Sequence, residues 1–208
     1  MATRAAWLKP VVFAAALLPF AWLAGGAAAD TLGANPAQAL VRSIGDWALR
    51  FLCLALAVTP LRLATGWAVL ARLRRMAGLF AYFYAALHLL CYAWFDMGFE
   101  LPDIAADIAK RPFILVGFAA FVLLTLLAAT SPHAAVRALG GRRWQALHRT
   151  VYAAALLALL HFWWMRAAKN DFSEVAVYAA IVAVLLGWRV WRRWLSRPAP
   201  RAGAPARR

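Results

Sequence analysis

The sequence is poor in acids: of its 208 residues only 8 are Asp or Glu, against 23 Lys or Arg. Charge of either sign is scarce at 15% of residues, and 65% are hydrophobic, where soluble domains carry roughly 45–50%. A mean hydropathy of +0.68 excludes a soluble globular protein. Cysteine is nearly absent. Cys53 and Cys91 both sit inside apolar runs, so neither a disulfide framework nor a Cys-based zinc site can be built. No glycine-rich βαβ dinucleotide unit is present, and about a dozen residues follow the last apolar run, so NADPH binding by a fused reductase domain is not expected. The net charge of +15 does not indicate a nucleic-acid partner, because the basic residues form short clusters between apolar segments. No constellation of catalytic side chains is visible, so substrate chemistry is expected to lie elsewhere.

What the sequence does have is six apolar stretches: Pro10 to Ala29, Ile44 to Thr65, Met76 to Phe95, Pro112 to Thr130, His148 to Met165 and Val175 to Trp194. Each is near the 20 or so residues a helix needs to cross a bilayer. Leu and Ala dominate them, and they are too long for buried strands, so helix is the expectation throughout. The fold class is therefore an all-α integral membrane protein, a six-helix transmembrane bundle forming one domain over residues 1–195. Pro60, Pro102, Pro112 and Pro132 are read as helix limits, and Asp96 to Arg111 as a loop. No internal repeat is visible. Residues 196–208, rich in Pro, Ala and Arg, are expected to be a disordered basic cytoplasmic tail. The first stretch, with Arg4 and Lys9 before it and a run of small residues at 25–29 after it, reads either as a retained span or as a cleaved secretory signal.

Charge sorts by side. If the N-terminus is cytoplasmic and the helices alternate, 17 of the 23 basic residues fall inside. They include Arg62, Arg72, Arg74, Arg75, Arg137, Arg142, Arg143 and Arg149, together with Arg4, Lys9 and the cluster from Arg189 to Arg208. All eight acids fall outside. The excess of Lys and Arg sets the orientation, so both termini are expected in the cytoplasm.

The sequence holds four histidines: His88, His133, His148 and His161. Ionisable residues within a membrane point to function, although a lone His also serves as an interhelical hydrogen-bonding group. Depth separates the two readings. His88 lies 13 residues beyond Arg75, and His161 lies 12 beyond Arg149, which puts both about 18–20 Å from the inner face of a core about 30 Å thick. Two imidazoles on separate helices at one depth suit the axial positions of a haem iron, with Phe83, Leu87, Leu89, Leu160 and Phe162 as candidate walls. A zinc ion would need further ligands at that level. His148 lies 13 residues before His161, far enough for a second haem near the cytoplasmic face. The matching positions on the third helix are Arg74 and Arg75, so a second bis-His pair lacks its partner. Those arginines suit either propionate or flavin-phosphate pairing or simple anchoring at the inner face. Ser131-Pro132-His133 reads as a helix-ending loop with a solvated His.

The run Arg142-Arg143-Trp144-Gln145-Ala146-Leu147-His148-Arg149-Thr150-Val151-Tyr152, followed by Leu160-His161-Phe162-Trp163-Trp164, resembles the haem-binding membrane subunits of the periplasmic methionine-sulfoxide reductase system. This is the MsrQ (YedZ) family of the ferric-reductase-like transmembrane superfamily. Asn35-Pro36, Thr59-Pro60-Leu61-Arg62 and the stretch from Arg74 through Tyr84 to His88 support the likeness, which extends from about residue 35 to 194. The resemblance implies a multi-pass protein of the bacterial inner membrane that holds b-type haem, with His88, His148 and His161 as haem-linked residues. It further implies an associated flavin mononucleotide (FMN) and electron delivery to a periplasmic molybdopterin reductase that repairs oxidised methionines. The electron donor stays open between membrane quinol, which the family favours, and a cytosolic flavin reductase. Two other readings remain at this point: a non-redox membrane carrier or assembly factor with structural histidines, and a self-contained quinol or ferric oxidoreductase without a dedicated partner.

Overall fold

The computed structural model describes residues 7–167 and 170–195. Arg4, Lys169 and the basic tail, on which part of the charge count and the tail expectation rest, lie outside the described residues. Nine helices follow one another among those described: α1 (Leu8–Ala28), α2 (Pro36–Thr65), α3 (Leu70–Phe95), α4 (Leu101–Lys110), α5 (Pro112–Ala129), α6 (His133–Leu139), α7 (Gly141–His148), α8 (Val151–Ala167) and α9 (Ser173–Leu195). Six segments are long and apolar enough to cross a membrane: α1, α2, α3, α5, α7 with α8, and α9. Their outer faces carry large apolar side chains, with Leu18 64%, Trp22 70% and Val184 69% exposed. Such a surface suits lipid and would be an aggregation hazard in water.

The helices depart from the sequence expectation where local chemistry outweighs hydropathy. Helix α2 begins at Pro36, not Ile44, because Asn35 caps it. The Asn35 side-chain oxygen accepts the Gln38 N–H at 3.0 Å, and Pro36 occupies the first helical position. Pro60 does not end α2, which runs on to Thr65 and stops at Gly66 in the left-handed region (φ 71°). Proline at 60 deprives the Leu56 carbonyl of its helical donor, and the Arg189 guanidinium of α9 supplies one instead. Pro102, Pro112 and Pro132 do sit at helix starts. The expected outer loop contains the helix α4, and the connection after α5 contains α6. The fifth span is broken at Arg149 and Thr150, between α7 and α8.

Proline also shapes α1. Pro19 lies inside it, and the Tyr84 hydroxyl of α3 enters the ladder one residue along. The Phe20 N–H donates to Tyr84 Oη at 3.2 Å, while that hydroxyl donates to the Ala16 carbonyl at 2.7 Å. A helical bond is thus replaced by a two-step bridge, a recognised way for a kinked helix to keep its polar groups satisfied. Tyr84 is fully buried. It stacks on Phe51, with ring centroids 5.3 Å apart and planes 8° from parallel, and Phe51 in turn meets Phe80. This aromatic column joins α1, α2 and α3 into the main core. A second, smaller cluster of Leu49, Cys53 and Val182, flanked by Phe162 and Tyr178, joins α2, α8 and α9. Both cysteines are free.

Candidate cofactor site

A cavity runs down the middle of the bundle between α2, α3, α5 and α8. His88 and His161 face each other across it, with ring centroids 6.2 Å apart and planes inclined by 73°. Their expected match in depth is therefore realised as direct juxtaposition. Both rings are held in the same manner. His88 Nδ1 lies 2.8 Å from the Val41 carbonyl of α2, and His161 Nδ1 lies 2.7 Å from the Phe113 carbonyl of α5. A carbonyl only accepts, so each Nδ1 carries the proton and donates it. Each Nε2 keeps its lone pair and has no hydrogen-bond partner among the described residues. This is the tautomer a metal-ligating imidazole adopts, with the backbone bond fixing the ring.

The approach to each carbonyl depends on glycine. Gly45 follows Val41 by four residues and Gly117 follows Phe113 by four, so each lies one turn on, directly beside the imidazole. A methyl carbon added at Gly45 would stand 3.0 Å from His88 Cε1 and Nδ1. One added at Gly117 would stand 2.8 Å from His161 Nδ1 and 2.9 Å from its Cε1. Neither glycine was singled out from the sequence. The available signal was a lone glycine interrupting an apolar helical run, which often marks a close approach of another group.

Two imidazoles sharing one metal ion at about 2 Å per nitrogen have ring centroids about 6 Å apart, which matches the separation observed. No group of three or more His, Cys, Asp or Glu side chains able to hold a metal ion occurs among the described residues, so the pair suits an ion whose other positions are filled by a cofactor. Of the candidate walls, Leu89 and Phe162 line the cavity, whereas Phe83, Leu87 and Leu160 do not.

The remaining histidines lie elsewhere. His148 ends α7, stacks on Trp144 with centroids 4.0 Å apart, and meets the Thr130 hydroxyl through Nε2 at 3.1 Å. The Trp144 indole donates to the Thr130 carbonyl at 2.9 Å, so both rings clasp the end of α5. Among the described residues, no second imidazole stands opposite His148. His133 is exposed at the start of α6. In α4, Asp107 accepts from the Tyr92 hydroxyl at 2.7 Å and pairs with Arg111 at 2.7 Å.

Residues 44–159 match the family model described as ferric reductase like transmembrane component. The chain is 67% identical over 199 residues to a protein of Polaromonas naphthalenivorans, covering 93% of this chain and 91% of the relative. It is 53% identical to a Herminiimonas arsenicoxydans protein (91% of this chain, 87% of the relative) and 53% identical to one from Bordetella pertussis (93% and 94%). All three bear the name protein-methionine-sulfoxide reductase heme-binding subunit MsrQ. With this degree of identity along nearly its whole length, the chain belongs to the MsrQ family of ferric-reductase-like transmembrane proteins.

Proposed function

We propose that this protein is a transmembrane b-haem electron carrier, with His88 and His161 as the axial ligands of the iron. The observation that carries the reading is the pair of opposed imidazoles, each with Nδ1–H fixed on a backbone carbonyl and Nε2 left free in the central cavity, beside apolar side chains such as Leu89, Phe118 and Phe162. When bound, the haem supplies one-electron redox chemistry at a potential set by its ligands and surroundings. The protein's own contribution is to hold two rings in a fixed tautomer, wall the site with Leu89, Phe118 and Phe162, and exclude water. His148 is proposed as a ligand at a second site nearer the cytoplasm, and FMN as a further cofactor on family grounds alone.

The relatives' printed name supports a role beside a methionine-sulfoxide reductase. The partner proposed here is a periplasmic molybdopterin-dependent subunit that carries out repair of oxidised proteins. Electrons would arrive from quinol in the bacterial inner membrane or from a cytosolic flavin reductase. The distribution of Lys and Arg supports two cytoplasmic termini. Reporter fusions are then expected to read cytoplasmic at Arg72 and Gly140, and periplasmic at Asp103 and Asp171.

The deciding experiment is an absorption spectrum of the purified protein with and without dithionite. A Soret band with sharp reducible α and β bands is expected. A colourless preparation that takes up no added haem would overturn the reading in favour of a non-redox membrane protein.

A further inference from the structure

The central cavity has two unlike ends. Helices α2 and α5 run antiparallel to α3 and α8, so the start of α2, the end of α3, the start of α5 and the end of α8 meet at one side. The polar lining there comprises Arg42, Asp46, Tyr92, Asp96, Arg111 and Arg166, so three arginines stand against two carboxylates. Toward the other end the lining is Leu49, Leu52, Ala85, Phe121, Leu124 and Ala158, with the histidine pair in between. From Arg42 to Leu52 the cavity extends about 15 Å along α2. A ligand matching this space is flat and apolar over most of its area and carries its anionic groups along one edge.

The three arginines are not equivalent. Arg111 pairs with Asp107, and Arg166 with Asp171 and Glu174. Arg42 has no carboxylate within 4.0 Å among the described residues, although it follows Val41, the residue whose carbonyl holds His88. A guanidinium has five N–H donors, so Arg111 and Arg166 retain donors beyond those their acids accept. Half-buried arginine at the edge of an apolar cavity is well suited to bidentate carboxylate binding.

We propose that Arg42, assisted by Arg111 and Arg166, receives the two propionate carboxylates of the porphyrin, so that its carboxylate edge faces the acid-bearing loops and its apolar edge faces Leu52 and Leu124. This rests on the haem reading of the histidine pair and adds an orientation to it. The edge nearest the α3–α5 connection is then the carboxylate edge, and Arg42 positions the ring without touching the iron.

The test uses full-length protein produced without haem and titrated, at one detergent concentration, with ferric haem b and with its dimethyl ester. Affinity is read from the Soret band. The quantity of interest is the preference for the free acid over the ester, compared between proteins so that partition into detergent cancels. Relative to wild type, Arg42→Gln is expected to lower that preference about tenfold, the scale of one charge-assisted pair, and Arg42→Lys by less. Arg166→Gln is expected to lower it as well, and gives a second reading should Arg42→Gln prove unstable. Arg62→Gln, at the opposite end of the same helix, is expected to leave it unchanged. An unchanged preference in both the Arg42 and Arg166 variants, with haem still bound, would overturn the orientation and leave the axial assignment standing. Failure of wild type to bind either compound would overturn both.

Discussion

In the α2/α3 pair, His88 rests on the Val41 carbonyl beside Gly45; in the α5/α8 pair, His161 rests on the Phe113 carbonyl beside Gly117. The sequence separation from carbonyl to histidine is 47 residues in the first pair and 48 in the second. The two pairs thus repeat one device, and they differ in what supports it. The first is backed by the Trp47, Phe51, Phe80 and Tyr84 column and by α1. The second adds Leu124 and Leu127 of α5 and the small Ala154 and Ala155 of α8 to the same core, and α5 is clasped at its far end by Trp144 and His148 on Thr130. A backbone carbonyl and a missing side chain suffice to fix an imidazole, and the surrounding packing can then differ between halves.

The comparison breaks most severely if one histidine can be lost without the other's role changing. His88→Ala and His161→Ala are each expected to abolish the low-spin haem spectrum, and to the same extent, because a bis-His iron needs both nitrogens. Reduced-minus-oxidised difference spectra at equal protein concentration check this. Retention of the full low-spin spectrum in both variants would sink the axial assignment.

The glycines should show a smaller and unequal effect. Alanine is favoured over glycine in a helix by about 1 kcal/mol, and this gain opposes the steric cost at both sites. At Gly45 the added methyl meets His88 at 3.0 Å, so a slight shift of the ring suffices and the terms roughly cancel. At Gly117 three ring atoms lie within 3.0 Å, and overpacking of this kind costs about 1–3 kcal/mol. Gly117→Ala is therefore expected to lower haem affinity and melting temperature clearly, and Gly45→Ala little. Haem retention after gel filtration would measure both. An equal loss in the two variants would show that the contact distances do not govern the fit.

How far the sequence disclosed this arrangement follows from the kind of chemistry each part uses. Side-chain hydrophobicity is written in the residues, and the six spans were legible from it. Their ends were less so: Arg42, Asp46 and Arg50 dilute the hydropathy at the start of α2, while the Asn35 cap that sets its true beginning is a local hydrogen bond. Pro60 was misread as a stop because the donor that rescues Leu56 comes from Arg189, more than a hundred residues away. The depth of His88 and His161 could be counted from the flanking arginines. The repeat between the halves could not be seen, since the acceptor in each is a backbone carbonyl that any residue supplies, here Val41 and Phe113. Only the two glycines leave a trace in the sequence, and single glycines are common in membrane helices.

Tyr84 tests the support that only the first pair possesses. Tyr84→Phe preserves the aromatic stack on Phe51 but removes the bridge between Phe20 N–H and the Ala16 carbonyl. Two backbone groups of α1 then lose their partner, and a cost of about 1–2 kcal/mol is expected. Thermal unfolding in detergent should fall by several degrees, with the haem spectrum unchanged. A spectral change of the size seen for His88→Ala would mean that the core and the cofactor site are not separable in this half.

The smallest effect is expected at His148, where the two pairs cease to correspond. Thirteen residues before His161 stands His148, whereas thirteen before His88 stands Arg75. A second haem held by two histidines would need an imidazole facing His148, and the Thr130 hydroxyl and Trp144 ring occupy two of its neighbouring positions instead. That hydroxyl also lies 2.6 Å from the Leu126 carbonyl, which takes its hydrogen. His148 Nε2 is then the donor toward Thr130, and Nδ1 is the nitrogen left to bind an iron. His148→Ala is expected to leave the spectrum of the His88–His161 site intact. Any second cofactor would be lost with it, and the clasp on α5 would weaken by about 1 kcal/mol, the net value of one hydrogen bond. The haem-to-protein ratio, measured by pyridine haemochrome against quantitative amino-acid analysis, distinguishes the cases. A fall from two to one would establish a second site that depends on His148, and an unchanged ratio of one would leave His148 as a clasp on the end of α5. A loss of all haem would instead join His148 to the central site and end the equivalence of the two helix pairs.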